Sequence, residues 1–253
     1  MVEKVEIRWV EETDSTQDEV RRHIQEYDNL SVVAAEFQTA GRGQRGNTWL
    51  ARKGENLTFS MLLKFGGNCF SPLKATDQFL ITKAATIGVA GYLEGKGINC
   101  SIKWPNDIYF HDKKICGMLI ENVLEGEYLS RGIVGIGLNV NQREFPPQLM
   151  NPTSMSVVTG QTYNTKDEMV ILAGFLASAF QTSLGSESST PEVDKEYERR
   201  LYRKDEFHEF TVCQDGSILE GKITGVTPGG LVQIINRKGE LFQFAFKEIS
   251  YII

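Results

Sequence analysis

The spacing of apolar residues changes character several times along the chain. Residues 4 to 10 alternate apolar and charged positions, which predicts a half-buried strand. The stretch "TDSTQDEVRRHIQEY" predicts a helix, with Thr16 and Glu19 spaced as a capping box. Strand character returns in "LSVVAAEFQ" and again in "ENLTFSMLLKF", where Leu57, Phe59 and Met61 stand two apart. A long helix over 75–94 is stopped by Gly95 and Gly97. Three strands follow, "SIKWPNDIYF", "KICGMLIENVL" and "YLSRGIVGIGLNV", joined by the turns "HDKK" and "EGE". A helix near 165–184, a polar linker "SLGSESSTPE" and a charged helix over 191–204 come next. Beyond 207 short strands alternate with the turns "QDG", "TPGG" and "RKG", a spacing that suits a small barrel.

Neighbouring strands with short turns predict an antiparallel or mixed sheet, and the βαβ alternation of a doubly wound fold is missing. The expected architecture is α+β: a mixed β-sheet with flanking helices over 1–206 and a small β-barrel over 207–253. The chain has 253 residues, 41% of them hydrophobic, enough for one large core and an appendage. Its net charge of -6 argues against a general nucleic-acid binder, which needs a basic face. No long apolar run marks a signal peptide or membrane span, so a cytoplasmic protein is expected. Cys69, Cys100, Cys116 and Cys213 form no C-x-x-C pair, and His23, His111 and His208 are isolated from other metal-ligating residues. Reduced cysteines and ordinary histidines follow.

Residues 40 to 46, "AGRGQRG", contain the pattern G-x-G-x-x-G. A dinucleotide fingerprint needs a helix opening inside it and an acid about 20 residues later. "NTWLARKGENLTFSMLL" carries helix breakers and then strand alternation, with Met61 and Leu62 where the acid belongs. Glycines interleaved with Arg42 and Arg45 suit another anion, a carboxylate or phosphate whose charge grows in a transition state. On the loop alone, a surface turn with solvated arginines stays open.

A second constellation lies in "KWPNDIYFHDKKICGMLIE". Lys103 and Lys114, eleven residues apart, are expected on facing arms of a hairpin with Asp107 between them. Two cations and a carboxylate at one edge suit a polyphosphate, its magnesium ion and an incoming amine. Pro105 after Trp104 is an odd choice for a plain strand.

With these segments in order, "DSTQDE", "FQTAGRGQRGNTW", "LTFSMLL", "KWPNDIYFHDKKICGMLIE" and "GIGLNVN", the chain resembles the biotin protein ligases. The resemblance covers nearly the whole chain. It implies a catalytic core related to class II aminoacyl-tRNA synthetases and lipoate ligases, and a C-terminal SH3-like barrel. It also implies two substrates, ATP and biotin, with Mg2+, and an acceptor lysine on a biotin carboxyl carrier domain of a carboxylase. Biotin would be activated to biotinyl-5'-AMP with loss of pyrophosphate and then transferred.

The same resemblance assigns residues. Ser15 and Thr16 would bind the ureido end of biotin. Gln38, Gly41 and Arg42 would line its site, with Lys114 at its carboxylate and the α-phosphate. Gly117, Met118 and Leu119 would run beside the biotin ring, and Gly135 and Gly137 would let the next strand approach closely. Trp49, by its indole face, and Asn106 and Asn139 would contact the nucleotide. Arg42, Lys103 and Lys114 would stabilise the phosphoryl charge. Asp107 is the candidate for orienting the attacking amine, accepting its proton and touching the metal.

Gln44 stands where relatives often carry a second arginine, and Arg45 is expected to replace it. Residues 141–165 contain no tryptophan to lie on the adenine, so that contact stays open. The core starts within ten residues of the N-terminus, which suggests a stand-alone form without a DNA-binding domain and no nucleic acid as partner. Pairing through sheet edges would make a homodimer. Two other readings share the fold: a non-catalytic binder of biotin or its adenylate that regulates a partner, and a lipoate ligase.

Overall fold

The computed structural model describes residues 5–185 and 190–253, so part of the expected linker lies outside the described residues. The chain opens with β1 (Ile7–Thr13), α1 (Thr16–Arg22), β2 (Val32–Gln38) and β3 (Leu57–Lys64). α2 (Phe79–Gly95) leads into β4 (Ser101–Lys103), β5 (Asp107–Phe110), β6 (Lys113–Glu125) and β7 (Tyr128–Leu138). α3 (Met155–Thr159), α4 (Thr165–Leu184) and α5 (Thr190–Arg199) follow. The chain closes with β8 (Phe207–Val212), β9 (Ile218–Val226), β10 (Val232–Asn236), β11 (Leu241–Phe244) and β12 (Ile249–Tyr251). A seven-stranded sheet has the order β1-β2-β3-β7-β6-β5-β4, and a five-stranded sheet the order β11-β10-β9-β8-β12. β1 and β2 run parallel, whereas β2–β3, β3–β7 and β6–β7 are antiparallel. The mixed sheet with flanking helices is therefore the α+β fold expected.

β3 is buried on both faces. Leu57, Phe59, Met61 and Leu63 join Ile81, Ala85 and Val89 of α2 and Leu172 and Leu176 of α4 in the main core. Leu62 faces the other way, with Val20 of α1, Tyr27, Val33 and Ile133. The two long helices can lie close because Gly88 of α2 has no side chain: a Cβ there would come within 3.1 Å of Leu176 and 3.2 Å of Ala179. The core continues into the second sheet through Phe210, Ile223, Val232 and Ile249. Among the described residues no helix is long and apolar enough to cross a membrane.

Four local features differ from the expectations. The capping box is not formed, because Ser15 occupies the cap without a side-chain bond and the Thr16 hydroxyl is buried 2.9 Å from that of Ser60. "SIKWPNDIYF" is a hairpin instead of one strand. Pro105 lacks the N–H that a ladder needs, so the chain turns at 104–106, through a cis Trp104–Pro105 peptide, and β4 pairs back on β5. The charged helix ends at Arg199, after which residues 200–202 run extended along β4: Ile102 N–H donates to Arg200 at 2.7 Å and Tyr202 N–H to Ile102 at 2.9 Å. The short α3, which has no strong periodicity, is capped by Ser154, whose Oγ accepts from Val157 N–H at 3.2 Å.

α5 is fastened to α2 by charge. Lys83, only 3% exposed, meets Asp194 at 2.7 Å, and the Arg200 guanidinium joins Glu94 to Glu196. Hydrogen bonds from Arg199 and Arg200 hold the Glu196 carboxyl down at about 2. A carboxylate whose folded pKa lies below its unfolded value, about 4.3, adds stability above that value and loses it as the pH falls toward the folded pKa. The wild type should therefore lose stability from about pH 4.3 down to 2, and Glu196→Gln should flatten this part of the profile. Thermal melts of both proteins at stepped pH check it, and parallel profiles would refute the assignment.

Candidate active site

The glycine loop is a small hairpin. Gly43 N–H donates to Asn47 at 2.7 Å and Trp49 N–H to Gly41 at 2.9 Å, around a single 3-10 turn at Gln44–Gly46. No α-helix starts here, so the dinucleotide geometry is excluded. Gly41 permits the return strand to pass: a Cβ on it would lie 2.7 Å from the Trp49 carbonyl oxygen. Gly46 supplies the left-handed turn, with φ of +83°.

The loop covers one side of a cavity of about 210 Å³. Its floor is the face of β6 and β7, where Gly117 pairs with Gly137 and Leu119 with Gly135. The glycines serve this face, and not the approach of the next strand that the resemblance implies. Strand spacing is set by the backbone ladder, whereas a missing Cβ frees room above the sheet. Trp49 takes the room over Gly137, where a Cβ would meet its Cε2 at 2.2 Å. Gln17 takes the room over Gly135, where a Cβ would meet its Cδ at 2.9 Å. The Lys114 stem lies over Gly117, with its Cε at 2.9 Å from such a Cβ. Trp49 Nε1 is buried and has no hydrogen-bond partner among the described residues. A buried N–H of this kind is a donor that an incoming oxygen would satisfy.

Ser15 and Thr16 enter from the start of α1. Thr16 N–H donates to Gln38 Oε1 at 2.8 Å, which fixes the Gln38 amide at the wall of the cavity. Asn106, at the β4–β5 turn, donates to the Met118 carbonyl at 2.8 Å and so ties that turn to β6. Gln17, which lies in "DSTQDE" without an expected role there, donates to the Leu119 carbonyl at 2.8 Å.

Lys103, Asp107 and Lys114 all line the cavity, although the two lysines do not face each other across one hairpin. β5 lies between them and carries Asp107, which pairs with Lys103 in register and meets the Lys114 ammonium at 2.7 Å. Arg42 lies at the rim with Asp18 at 3.1 Å and Glu121 at 3.5 Å. Arg21 shares both carboxylates. Lys103 has no carboxylate within ion-pair distance among the described residues, and burial pushes its pKa down. Its ammonium lies instead over the rings of Tyr109 and Tyr251, 5.2 and 4.7 Å from their centroids.

Asn139 stands apart from this group. It is buried outside the cavity lining, and its amide donates to the Thr153 carbonyl at 2.9 Å, holding the loop before α3. The Arg45 side chain lies outside the described residues. Phe246 joins the lining from the second sheet, beside Trp104 at a centroid distance of 6.0 Å. The indole N–H of Trp104 donates to the Gly230 carbonyl at 3.0 Å. All four cysteines are free, and Cys116 is buried in β6. Among the described residues no three His, Cys, Asp or Glu side chains converge as a metal cage. A lone carboxylate, Asp107, lines the cavity. That donor set fits a magnesium ion carried mainly by phosphate oxygens, the usual habit of that ion.

A mixed sheet with a glycine floor, three cations and one carboxylate defines an anion-binding cavity suited to a carboxylate beside a polyphosphate. The profile of the biotin/lipoate A/B protein ligase family matches residues 9–139, and the chain belongs to that family. The bifunctional ligase/repressor BirA of Bacillus subtilis is 37% identical over 134 residues, covering 52% of this chain and 40% of the relative. The biotin–[acetyl-CoA-carboxylase] ligase of Paracoccus denitrificans is 28% identical over 165 residues, covering 64% of this chain and 67% of that one. The chain thus matches well under half the length of the first of these relatives. Among solved structures, the biotin protein ligase of Aquifex aeolicus in complex with biotin and ATP aligns with a TM-score of 0.75 and 28% identity, covering 97% of each chain.

Proposed function

We propose that the protein is a biotin protein ligase that forms biotinyl-5'-AMP from biotin and ATP and passes the biotinyl group to a lysine of a carboxylase carrier domain. The observation that carries this reading is the convergence of Arg42, Lys103 and Lys114 on one cavity beside a glycine floor. Relatives and solved neighbours named as biotin ligases support it.

In the first step a biotin carboxylate oxygen bonds to the α-phosphorus as the bond to pyrophosphate breaks. Negative charge gathers on phosphoryl oxygens, where Arg42, Lys103 and Lys114 would stabilise it. Lys114 must then exchange Asp107 for substrate oxygens. That exchange frees Asp107 for the second step, in which the acceptor amine bonds to the acyl carbon and AMP leaves. The amine attacks only when neutral, and Asp107 would orient it and take its proton. Magnesium, held by the triphosphate with Asp107 as its protein ligand, would withdraw charge from the leaving group. Ser15, Thr16 and Gln38 would hold the ureido end, Gly41 the shape of the covering loop, and Gly117, Met118 and Leu119 the ring. Trp49 and Asn106 would border the nucleotide, whereas Asn139 would act through the backbone it secures.

In the same reading residues 1–206 carry the chemistry and residues 207–253 form an appended unit. No nucleic acid or membrane takes part, and the protein works in the cytoplasm. A homodimer would use β1, since β4 at the other edge of the sheet is covered by residues 200–202.

Mass spectrometry of an unmodified carrier domain incubated with the protein, magnesium, ATP and biotin is the test. A biotin-sized, ATP-dependent gain is expected. Gain with lipoate in its place would make the protein a lipoate ligase. Tight biotin binding with no gain would make it a regulatory binder.

A further inference from the structure

Among the described residues, Lys103 is the active-site cation without a carboxylate of its own. Asp107, its register partner on β5, is taken by Lys114 at 2.7 Å. Asp107 still attracts Lys103 through space, while Lys114 and Arg203 act on it as like charges. An ammonium so placed has no direct ion pair to fix its position. Two aromatic faces do so, Tyr109 from β5 and Tyr251 from β12, and the Tyr251 face is the nearer at 4.7 Å. Burial pushes both phenol pKa values up, so the rings are neutral and act through their quadrupoles. The Tyr251 ring is itself wedged, with Phe210 at 5.3 Å and Tyr202 at 5.9 Å between centroids. β12 belongs to the five-stranded sheet and Lys103 to the seven-stranded one, so this contact joins the C-terminal unit directly to a charge in the cavity.

We infer that Tyr251 is a positioning residue: it holds the Lys103 ammonium toward the cavity, and through it the C-terminal sheet supports adenylate formation rather than acceptor transfer. The inference rests on the ligase reading above for its kinetic consequence, but not for the contact itself. Removing the ring in Tyr251→Leu should lower kcat/KM for ATP in biotin-dependent ATP–pyrophosphate exchange about tenfold, the effect of losing one desolvated cation–π contact. Transfer from preformed biotinyl-5'-AMP to the carrier domain should change less than about twofold, because the phosphate charge is then already settled. Tyr251→Phe keeps the face and should restore exchange. In a Lys103→Met background, Tyr251→Leu should have no further effect.

Should Tyr251→Leu fail to fold, pentafluorophenylalanine at position 251 keeps the shape of phenylalanine and reverses its quadrupole, and it should reproduce the loss. Equal loss in both steps, additivity with Lys103→Met, or full activity of the fluorinated protein each overturns the inference. Competitive acetylation of lysines, read by mass spectrometry, separates it from the ligase proposal. Lys103 should label at least about threefold faster in Tyr251→Leu than in wild type or Tyr251→Phe, once a shielding ring is gone. If wild type shows no exchange, the ligase reading falls and the labelling still decides the contact; equal labelling in all three proteins rejects it.

Discussion

Lys114→Ala should reduce biotin-dependent ATP–pyrophosphate exchange by about 10² to 10³-fold, the usual cost of removing one preorganised stabiliser of transition-state charge. Lys114 enters the cavity along the bare backbone of Gly117, so its stem is fixed while its ammonium stays reachable. Its partner Asp107 retains 25% side-chain exposure, and water can solvate that carboxylate once the lysine is gone. A part-exposed pair contributes little to stability, so the thermal midpoint should hardly move. Activity and stability are therefore expected to separate sharply. Exchange within about threefold of wild type in a folded Lys114→Ala protein would remove Lys114 from the adenylation step.

Much of this site can be read from the order of residues alone, because motifs record local geometry. The glycine loop rejects a helix on its own breakers, whereas its hairpin form emerges only in the structure. The mixed sheet is legible from the short turns between strands. Pro105 marks an interruption, although the alternation on either side of it conceals that two strands meet there at a turn. What escapes is contact between distant segments. Gln17 looks like an ordinary polar helix residue, yet it is buried and reaches β6 because Gly135 leaves room for it. Phe246 and Tyr251 sit in an ordinary-looking terminal stretch, and one reaches the cavity and the other Lys103 only because a second sheet packs against the turn at Trp104. Asn139 shows the converse. The family resemblance implies a nucleotide contact for it, but its amide is engaged by a loop whose path no local pattern records.

The glycine floor makes the strongest steric demand on the site. Gly137 lies inside β7, in extended backbone that any residue can adopt, and pairs with Thr58 and Gly117 on its two sides. Gly137→Ala should therefore leave the strand itself intact. The added methyl cannot coexist with the present indole, since Trp49 Cε2 would stand 2.2 Å from it and Cζ2 2.5 Å. Trp49 must leave the floor and draw the covering loop with it, because its backbone N–H is tied to the Gly41 carbonyl. Displacement of positioning groups by about 1 Å can cost about 10²-fold in rate, and a loss of that order in exchange is expected, with weakened biotin binding by calorimetry. Gly174→Ala on α4 is the control: a Cβ there meets nothing within 4 Å, so activity should be unchanged. If the clash with the indole is the cause, Gly137→Ala should add little to a Trp49→Leu protein. Full additivity of the two substitutions would place the role of Gly137 elsewhere, and normal biotin affinity in Gly137→Ala would mean that the floor accepts a side chain after all.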